Sequence, residues 1–374
     1  LETLNIAIKI NKYLRKPRNQ ETKIKSSPDT VYDKTTMKNI LITGGCGFIG
    51  SHFLNKNVKK YSYYNFINLD ALYYTSNQNN ILKSIKQKRN YTFIQGNIQN
   101  QELVEYILKH HQIDTIIHLA GQTHLQGVLS SPTQYVKDNI LGTQVLLEAC
   151  RKHSRIKKFI YLGTNMISCL GDSEKSEVYR ELYQNISCNP RLVCLASAEM
   201  LVSSYFITQQ LPVILIRMCS VYGAKPNTNS WISQHINLLL ENKKCKIYGE
   251  GEQIYPFLHL DDVIQGLECI LLRGKIGEVY GMVSDFEYSE MEITRRLIQL
   301  IKTENLDDFT KYVDFIKTKN KVNYLPQTSH KLQEIGWKQE IFIQEGLEKT
   351  VCYYRKKHEL KKDKIMLNME ITQF

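Results

Sequence analysis

The nine cysteines form no C-x-x-C pair, no apolar run reaches the roughly 18 residues that cross a bilayer, and no segment repeats. These absences argue against paired-cysteine zinc sites and a disulfide framework and lead us to expect no transmembrane segment. Single, scattered cysteines suit a reducing compartment. Acidic residues are also short: 37 Asp and Glu stand against 49 Lys and Arg, a formal charge of +12. Such an excess invites a nucleic-acid reading. It is spread over short runs, such as Lys59-Lys60, Lys157-Lys158 and Arg355-Lys356-Lys357. These read as solvated surface, and no nucleic-acid partner is expected.

What is present is enough for one sizeable α/β core with an annex: 374 residues, 42% of them apolar. The first 36 residues stand apart as a basic N-terminal extension. Leu4, Ile6, Ile8, Ile10 and Leu14 are interspersed with Lys9, Lys12, Arg15 and Lys16, and Pro17 and Pro28 interrupt any long helix. A basic, acid-poor leader is a feature of mitochondrial targeting, and the start at Leu1 reads as a processed or trimmed product; the alternative is an ordinary solvated extension on a cytoplasmic protein.

From Met37 the apolar pattern alternates regularly. Strands are expected at Asn39–Thr43, Phe66–Leu69, Asp114–Ala120, Lys158–Gly163 and Pro212–Arg217, with helices at Gln101–His111, Pro132–His153 and Pro190–Gln210. Strands alternating with helices predict an α/β fold with a doubly wound parallel sheet over residues 37–222. The alternation loosens after Tyr222. A smaller, partly interleaved substrate-side lobe is expected over 223–354, followed by a charged surface tail at 355–374.

Thr43-Gly-Gly-Cys-Gly-Phe-Ile-Gly-Ser51 follows the first strand and opens a helix. Gly44, Gly47 and Gly50 allow a tight turn, close approach to a pyrophosphate and helix-strand packing, and the helix N-terminus offers free N–H groups to phosphates. Asp70 stands twenty residues beyond Gly50, at the end of the next strand. Its carboxylate can accept from the adenosine ribose hydroxyls and would repel a 2′-phosphate, which favours NAD over NADP. Cys46, inside the loop, reads as a small residue in an alanine-like slot.

The loop resembles the opening motif of extended short-chain dehydrogenases, the Rossmann-type proteins that include the NAD-dependent epimerases and dehydratases. Asp70-Ala-Leu-Tyr-Tyr-Thr-Ser-Asn77, His118-Leu-Ala-Gly-Gln-Thr-His124, Asn139-Ile-Leu-Gly-Thr143, Ser220-Val-Tyr-Gly223, Gly249 to Asp262 and Ile335-Gly-Trp337 are similar to segments of dTDP-glucose 4,6-dehydratases. The resemblance covers residues 37–354. It implies cofactor contacts from Gly44, Gly47, Phe48, Ile49, Gly50, Asp70, Asn97, Ile98, Leu119, Ala120 and Asn139.

The resemblance breaks at the chemistry. Where the family reads Asn-Pro-Tyr-x-x-x-Lys-x-x-x-Glu, this chain reads Asn189-Pro-Arg191-Leu-Val-Cys-Leu195-Ala-Ser-Ala-Glu199. The tyrosine position holds Arg191 and the lysine position Leu195. Arginine is no base near neutral pH, and leucine has nothing to donate. The family's Thr-Asp-Glu after the fifth strand is Thr164-Asn165-Met166, which has lost both acid/base groups. Gln122, Tyr255 and Gln327 stand where a glutamate, an arginine and a carboxylate are expected. The one Tyr-x-x-x-Lys, Tyr353 to Lys357, falls outside the sheet region.

The reading that follows is a non-catalytic NAD-binding protein of sugar-nucleotide dehydratase descent, serving with other protein subunits in a larger, mitochondrial assembly. A respiratory complex is favoured, since the same fold carries a nicotinamide cofactor in a complex I subunit, a precedent at fold level only. The alternative is an active epimerase or dehydratase on a sugar nucleotide with relocated groups, Thr164, Tyr161 and Tyr183 being its candidates. No metal site is indicated.

Overall fold

Asn39–Thr43 forms the central strand β1, in which Ile40, Leu41 and Ile42 are fully buried. Ile40 and Ile42 enter one core and Leu41 the opposite one, as a strand covered on both faces requires. The computed structural model describes residues 38–73, 76–123, 131–165, 190–224, 230–302, 306–317 and 328–371. The leader, 1–36, lies outside them, and residues 37–374 form one compact unit.

After β1 come α1 (Phe48–Lys60), β2 (Asn65–Asp70), the short α2 (Lys83–Lys86), β3 (Tyr91–Gln95), α3 (Gln101–His110) and β4 (Thr115–His118). Helix α4 (Pro132–Val136) passes through a π-helical turn, Lys137–Leu141, into α5 (Gly142–Lys152). The main sheet continues with β5 (Lys158–Thr164), α6 (Pro190–Gln209) and β6 (Val213–Met218). Beyond it lie β7 (Ser220–Tyr222), α7 (Trp231–Leu240), β8 (Cys245–Tyr248), β9 (Ile254–His259), α8 (Leu260–Arg273), β10 (Val279–Met282), β11 (Glu287–Ser289), α9 (Glu290–Lys302), β12 (Val313–Ile316), α10 (His330–Glu334) and α11 (Ile343–Ile371).

Seven strands pair in parallel in the order β10-β6-β5-β4-β1-β2-β3. The expected doubly wound sheet is therefore the sheet found. Its order reverses between β1 and β4, so a crevice opens there at the carboxyl ends of the strands. Strands β3 and β10 carry no such apolar signal in the sequence. Tyr91-Thr-Phe-Ile-Gln95 is an edge strand with exposed polar positions, and Val279–Met282 lies in the region where the alternation loosens.

The smaller lobe has its own core, with Tyr222, Ile232, Ile236, Phe257, Leu297 and Val351. It is interleaved with the sheet, because Val263, Ile264, Leu267, Met282 and Trp337 return to the core beside β1. Two sequence expectations change. Residues 355–371 are no separate tail but the continuation of α11, and the Arg355 guanidinium donates to Leu300 O at 3.0 Å. Lys158 is not solvated charge: its ammonium donates to the carbonyls of Ile270, Leu271 and Gly274 at 3.4, 3.0 and 3.2 Å, closing the end of α8. Among the described residues, α6 alone is long and apolar enough to cross a membrane. It lies against the sheet, burying Leu195, Ala198, Glu199, Val202 and Tyr205.

Candidate functional site

The three loop glycines are required for different reasons. Gly44 has φ +72°, and a Cβ there would stand 2.8 Å from the Ala120 backbone. At Gly50 a Cβ would lie 2.5 Å from Gly44 O and 2.6 Å from Gly45 Cα, so this glycine lets α1 sit on the loop. At Gly47 a Cβ would meet only Gly44 O, at 3.2 Å, and otherwise open space. Packing does not demand glycine at 47; room for a group approaching from the groove does. Gly47 is also the N-cap of α1, whose first turn carries no carboxylate, so its N–H groups and dipole face an anion unopposed.

Asp70 ends β2 and is buried. Its Oδ2 accepts from Cys46 N at 2.8 Å, and its Oδ1 from Leu72 N and Ser76 Oγ, both at 2.8 Å. A carboxylate has about four acceptor positions, so one remains on Oδ2 for a ligand hydroxyl. Burial, with Asp70 beside it, pushes the Cys46 thiol up to about 12. The thiol is inert, in keeping with its reading as a small filler.

The groove at the switch point is lined by Gly44, Gly47, Asp70, Asn97, Ile98, Leu119 and Ala120. Seven of the expected cofactor residues thus come together. Phe48, Ile49, Gly50 and Asn139 are not among its lining residues. Phe48 and Ile49 pack on the core, and Gly50 takes up the contact described above. Asn139 accepts from Gln122 N at 3.0 Å and donates to Tyr135 O at 3.0 Å, pinning the loop after β4. Tyr73, Ser76, Gln122 and Asp138 also line the groove. Motif reading passed over Asp138, which precedes Asn139 within the π turn.

At the chemical end, Arg191, Leu195 and Glu199 share one face of α6 at four-residue spacing. The Arg191 guanidinium donates to Thr123 O at 2.9 Å, and Leu195 is buried. Glu199 Oε1 takes the Arg217 guanidinium at 2.8 Å (Nε) and 2.7 Å (Nη2); burial still raises the carboxyl's pKa against that pairing. Thr164 ends β5 opposite Met218, and Asn165 beside it is buried. Met166, Tyr183 and Gln327 lie outside the described residues. Tyr161 points into the core beneath the sheet; burial first, and Glu199 next, drive its pKa up, so it cannot serve as a base. Tyr255 lies opposite Tyr288 on β9 and packs beside Phe257.

The sequence profile of the NAD dependent epimerase/dehydratase family matches residues 40–282. The chain is 34% identical over 362 residues to dTDP-D-glucose 4,6-dehydratase of Dictyostelium discoideum, covering 86% of this chain and 83% of that one. It is 36% identical over 321 residues to the human protein of the same name, covering 85% and 90%. Among solved structures, dTDP-glucose 4,6-dehydratase of Bacillus anthracis in complex with NAD superposes with a TM-score of 0.72 at 31% identity, covering 86% of this chain and 98% of the other. Fold, groove and sequence agree: the chain is a dehydratase-like extended short-chain dehydrogenase/reductase and belongs to the NAD dependent epimerase/dehydratase family.

Proposed function

We propose that this chain binds NAD in the groove but has lost the dehydratase reaction, and that it acts as a structural or accessory subunit of a larger, mitochondrial assembly, with a respiratory complex favoured. The carrying observation is Leu195, a buried apolar side chain at the lysine position of the family's proton-transfer pair, one helical turn from Arg191 at the tyrosine position. A tyrosine beside an ammonium gives up its proton readily. A guanidinium held on Thr123 O beside an isobutyl group cannot take one. Asn165 has no acid/base capacity either, and a single acid/base group contributes roughly 10²–10⁴-fold to rate.

The binding half fits its cofactor. Gly47 leaves space for a pyrophosphate at the α1 N-terminus, and Asp70 keeps one acceptor position for a ribose hydroxyl while its charge disfavours a 2′-phosphate. NAD, when bound, brings a nicotinamide able to take or give hydride. The chain's own residues hold and orient it, and such binding stabilises the fold by linkage without turnover. An apolar stripe on α6, where Val193, Met200 and Ile207 are 40%, 66% and 57% exposed, supports a protein partner.

The test is an assay of purified protein with dTDP-glucose and with UDP-glucose, alongside NAD binding by calorimetry. NAD binding with no 4-keto-6-deoxy product is expected. Product formed at a rate unchanged by Arg191→Ala would sink the non-catalytic reading and favour relocated groups around Thr164.

A further inference from the structure

A second groove, of about 390 Å³, opens between the end of β10 and the start of α11. Asp285, Phe286, Gln333, Trp337, Lys338 and Phe342 line it, and none of them lines the cofactor groove. The rings of Phe286 and Phe342 meet edge to face, with centroids 5.6 Å and planes 66° apart. Yet they are 46% and 54% exposed, so apolar ring surface is left in water on both. The backbone that carries them is held. Phe286 N donates to Ser284 Oγ at 3.1 Å, and Ser284 Oγ donates to Gln339 Oε1 at 3.0 Å. Just before Phe342, the two carboxylate oxygens of buried Asp262 accept from Glu340 N at 3.0 Å and Ile341 N at 3.1 Å. Trp337 Nε1 donates to Asp262 O at 3.0 Å. Walls fixed in this way lower the ordering cost of binding.

The charge around the rings runs against that of the chain. The whole carries +12, yet Asp285 lines this groove, and Glu287, Glu334 and Glu340, all exposed, adjoin Phe286, Gln333 and Gln339 in sequence. Lys338 is the one cation lining it among the described residues. Lys331 on α10 is held by Glu278 at 2.6 Å. Among the described residues no Lys or Arg pairs with Asp285, whose Oδ2 has only a long contact, 3.3 Å, from Gln333 Nε2. The positive end of α11, beside Phe342, is offset by Glu345 in its first turn. We propose that this groove docks an arginine side chain from a basic segment of a partner protein, its guanidinium lying against the Phe286 and Phe342 rings and pairing with Asp285. Arginine suits the site better than lysine, because its plane stacks on an aromatic face and its fork meets a carboxylate with two bonds. An acidic segment would meet like charge, and an apolar one would cover Asp285 without a partner. The site is separate from the cofactor groove and holds whether or not NAD binds.

The test titrates the full chain with a labelled Gly-Arg-Gly-Arg-Gly peptide, read by fluorescence anisotropy, beside the same peptide carrying Lys or Glu in place of Arg. The arginine peptide should bind, the lysine peptide more weakly, and the glutamate peptide not at all. Phe286→Ala and Asp285→Asn should each weaken arginine binding by about two- to fivefold, the size of one exposed cation–π contact or one exposed ion pair. Asp285→Asn should also flatten its salt dependence. Tyr106→Ala removes an exposed ring on α3 and should leave binding unchanged. All three changed side chains are exposed, so these variants should melt with the parent. A parent that binds no arginine peptide, or binds the glutamate peptide equally well, overturns the proposal without any variant. Arginine binding left intact by both Phe286→Ala and Asp285→Asn overturns it as well.

Discussion

Thr43 donates its hydroxyl hydrogen to Nδ1 of His118 across 2.7 Å. The direction follows from the neighbours. Thr143 Oγ1 gives its one hydrogen to Asn139 O at 2.6 Å, so it must accept from His118 Nε2 at 3.0 Å. His118 Nδ1 is then the acceptor, and Thr43 Oγ1 in turn accepts from Ala120 N at 3.3 Å. A buried chain of bonds thus ties the groove loop after β4 to the π turn, and it holds only while His118 is neutral.

Acid should therefore loosen the protein from within. Burial holds His118 at about 4, and burial holds His235 in the smaller lobe at about 4 as well. Below pH 6.5 the unfolded chain takes up these protons and the native chain does not until about pH 4. Stability is thus fully present above pH 6.5 and is lost as pH falls through that window, by about 1.4 kcal/mol per pH unit for each histidine. Urea midpoints at pH 7.5 and pH 5 measure it. His118→Asn should show a clearly shallower decline; an unchanged slope would mean that His118 protonates freely in the folded state.

Gly47 and Gly50 should separate binding from folding. A side chain at 47 meets only Gly44 O, at 3.2 Å, and otherwise open space, so Gly47→Val should fold with a melting temperature only slightly below the parent's in the absence of cofactor, yet lose the upward shift that saturating NAD gives the parent. Gly50→Ala meets backbone at 2.5 and 2.6 Å and should lose stability by about 1–3 kcal/mol or more. A normal NAD shift in Gly47→Val would mean that the pyrophosphate does not lie on this loop.

Restoring the lost pair should not restore the reaction. Leu195 is 8% exposed, so Leu195→Lys puts an ammonium into an apolar slot and should lower the melting temperature. Arg191→Tyr with Leu195→Lys should still yield no 4-keto-6-deoxy sugar, because Asn165 supplies no acid or base. Turnover by the double variant would show that those two positions alone silenced the enzyme.

The sequence made the binding loop legible and left its wall hidden, for physical reasons. Gly44, Gly47, Gly50 and Asp70 lie within one strand-loop-helix-strand unit, where spacing alone places them in the groove. Asp138 depends on Gln99, Gln122 and Gln134, which meet only in the folded chain, and a charged residue between Lys137 and Asn139 reads as helix surface. The π turn that buries it leaves no periodic signal. Strand β1 was recognisable because Ile40, Leu41 and Ile42 are all apolar, whereas β3, an edge strand, alternates with polar residues and was missed. Lys158 looked like surface because a run of two lysines usually is; its role at the end of α8 depends on a contact more than a hundred residues away.

The leader of the chain combines scattered aliphatic residues with Lys and Arg and has no sustained amphipathic face. Ordering such a segment costs roughly 1–2 kcal/mol per residue in backbone entropy, which it cannot offset with its own apolar surface and which a partner could. The net charge of +12 and the run Arg355-Lys356-Lys357 on α11 favour a partner with acidic surfaces. Native protein from its source should therefore migrate well above twice the chain's 43.6 kDa, and it should co-purify with mitochondrial subunits identifiable by mass spectrometry. Removing residues 1–36 should release it as a smaller species that still binds NAD, since the described residues that line the groove fall between Gly44 and Asp138. High salt should weaken the association, because charge steers it. A native species no larger than a dimer, unaffected by loss of the leader, would leave NAD binding standing and remove the subunit reading.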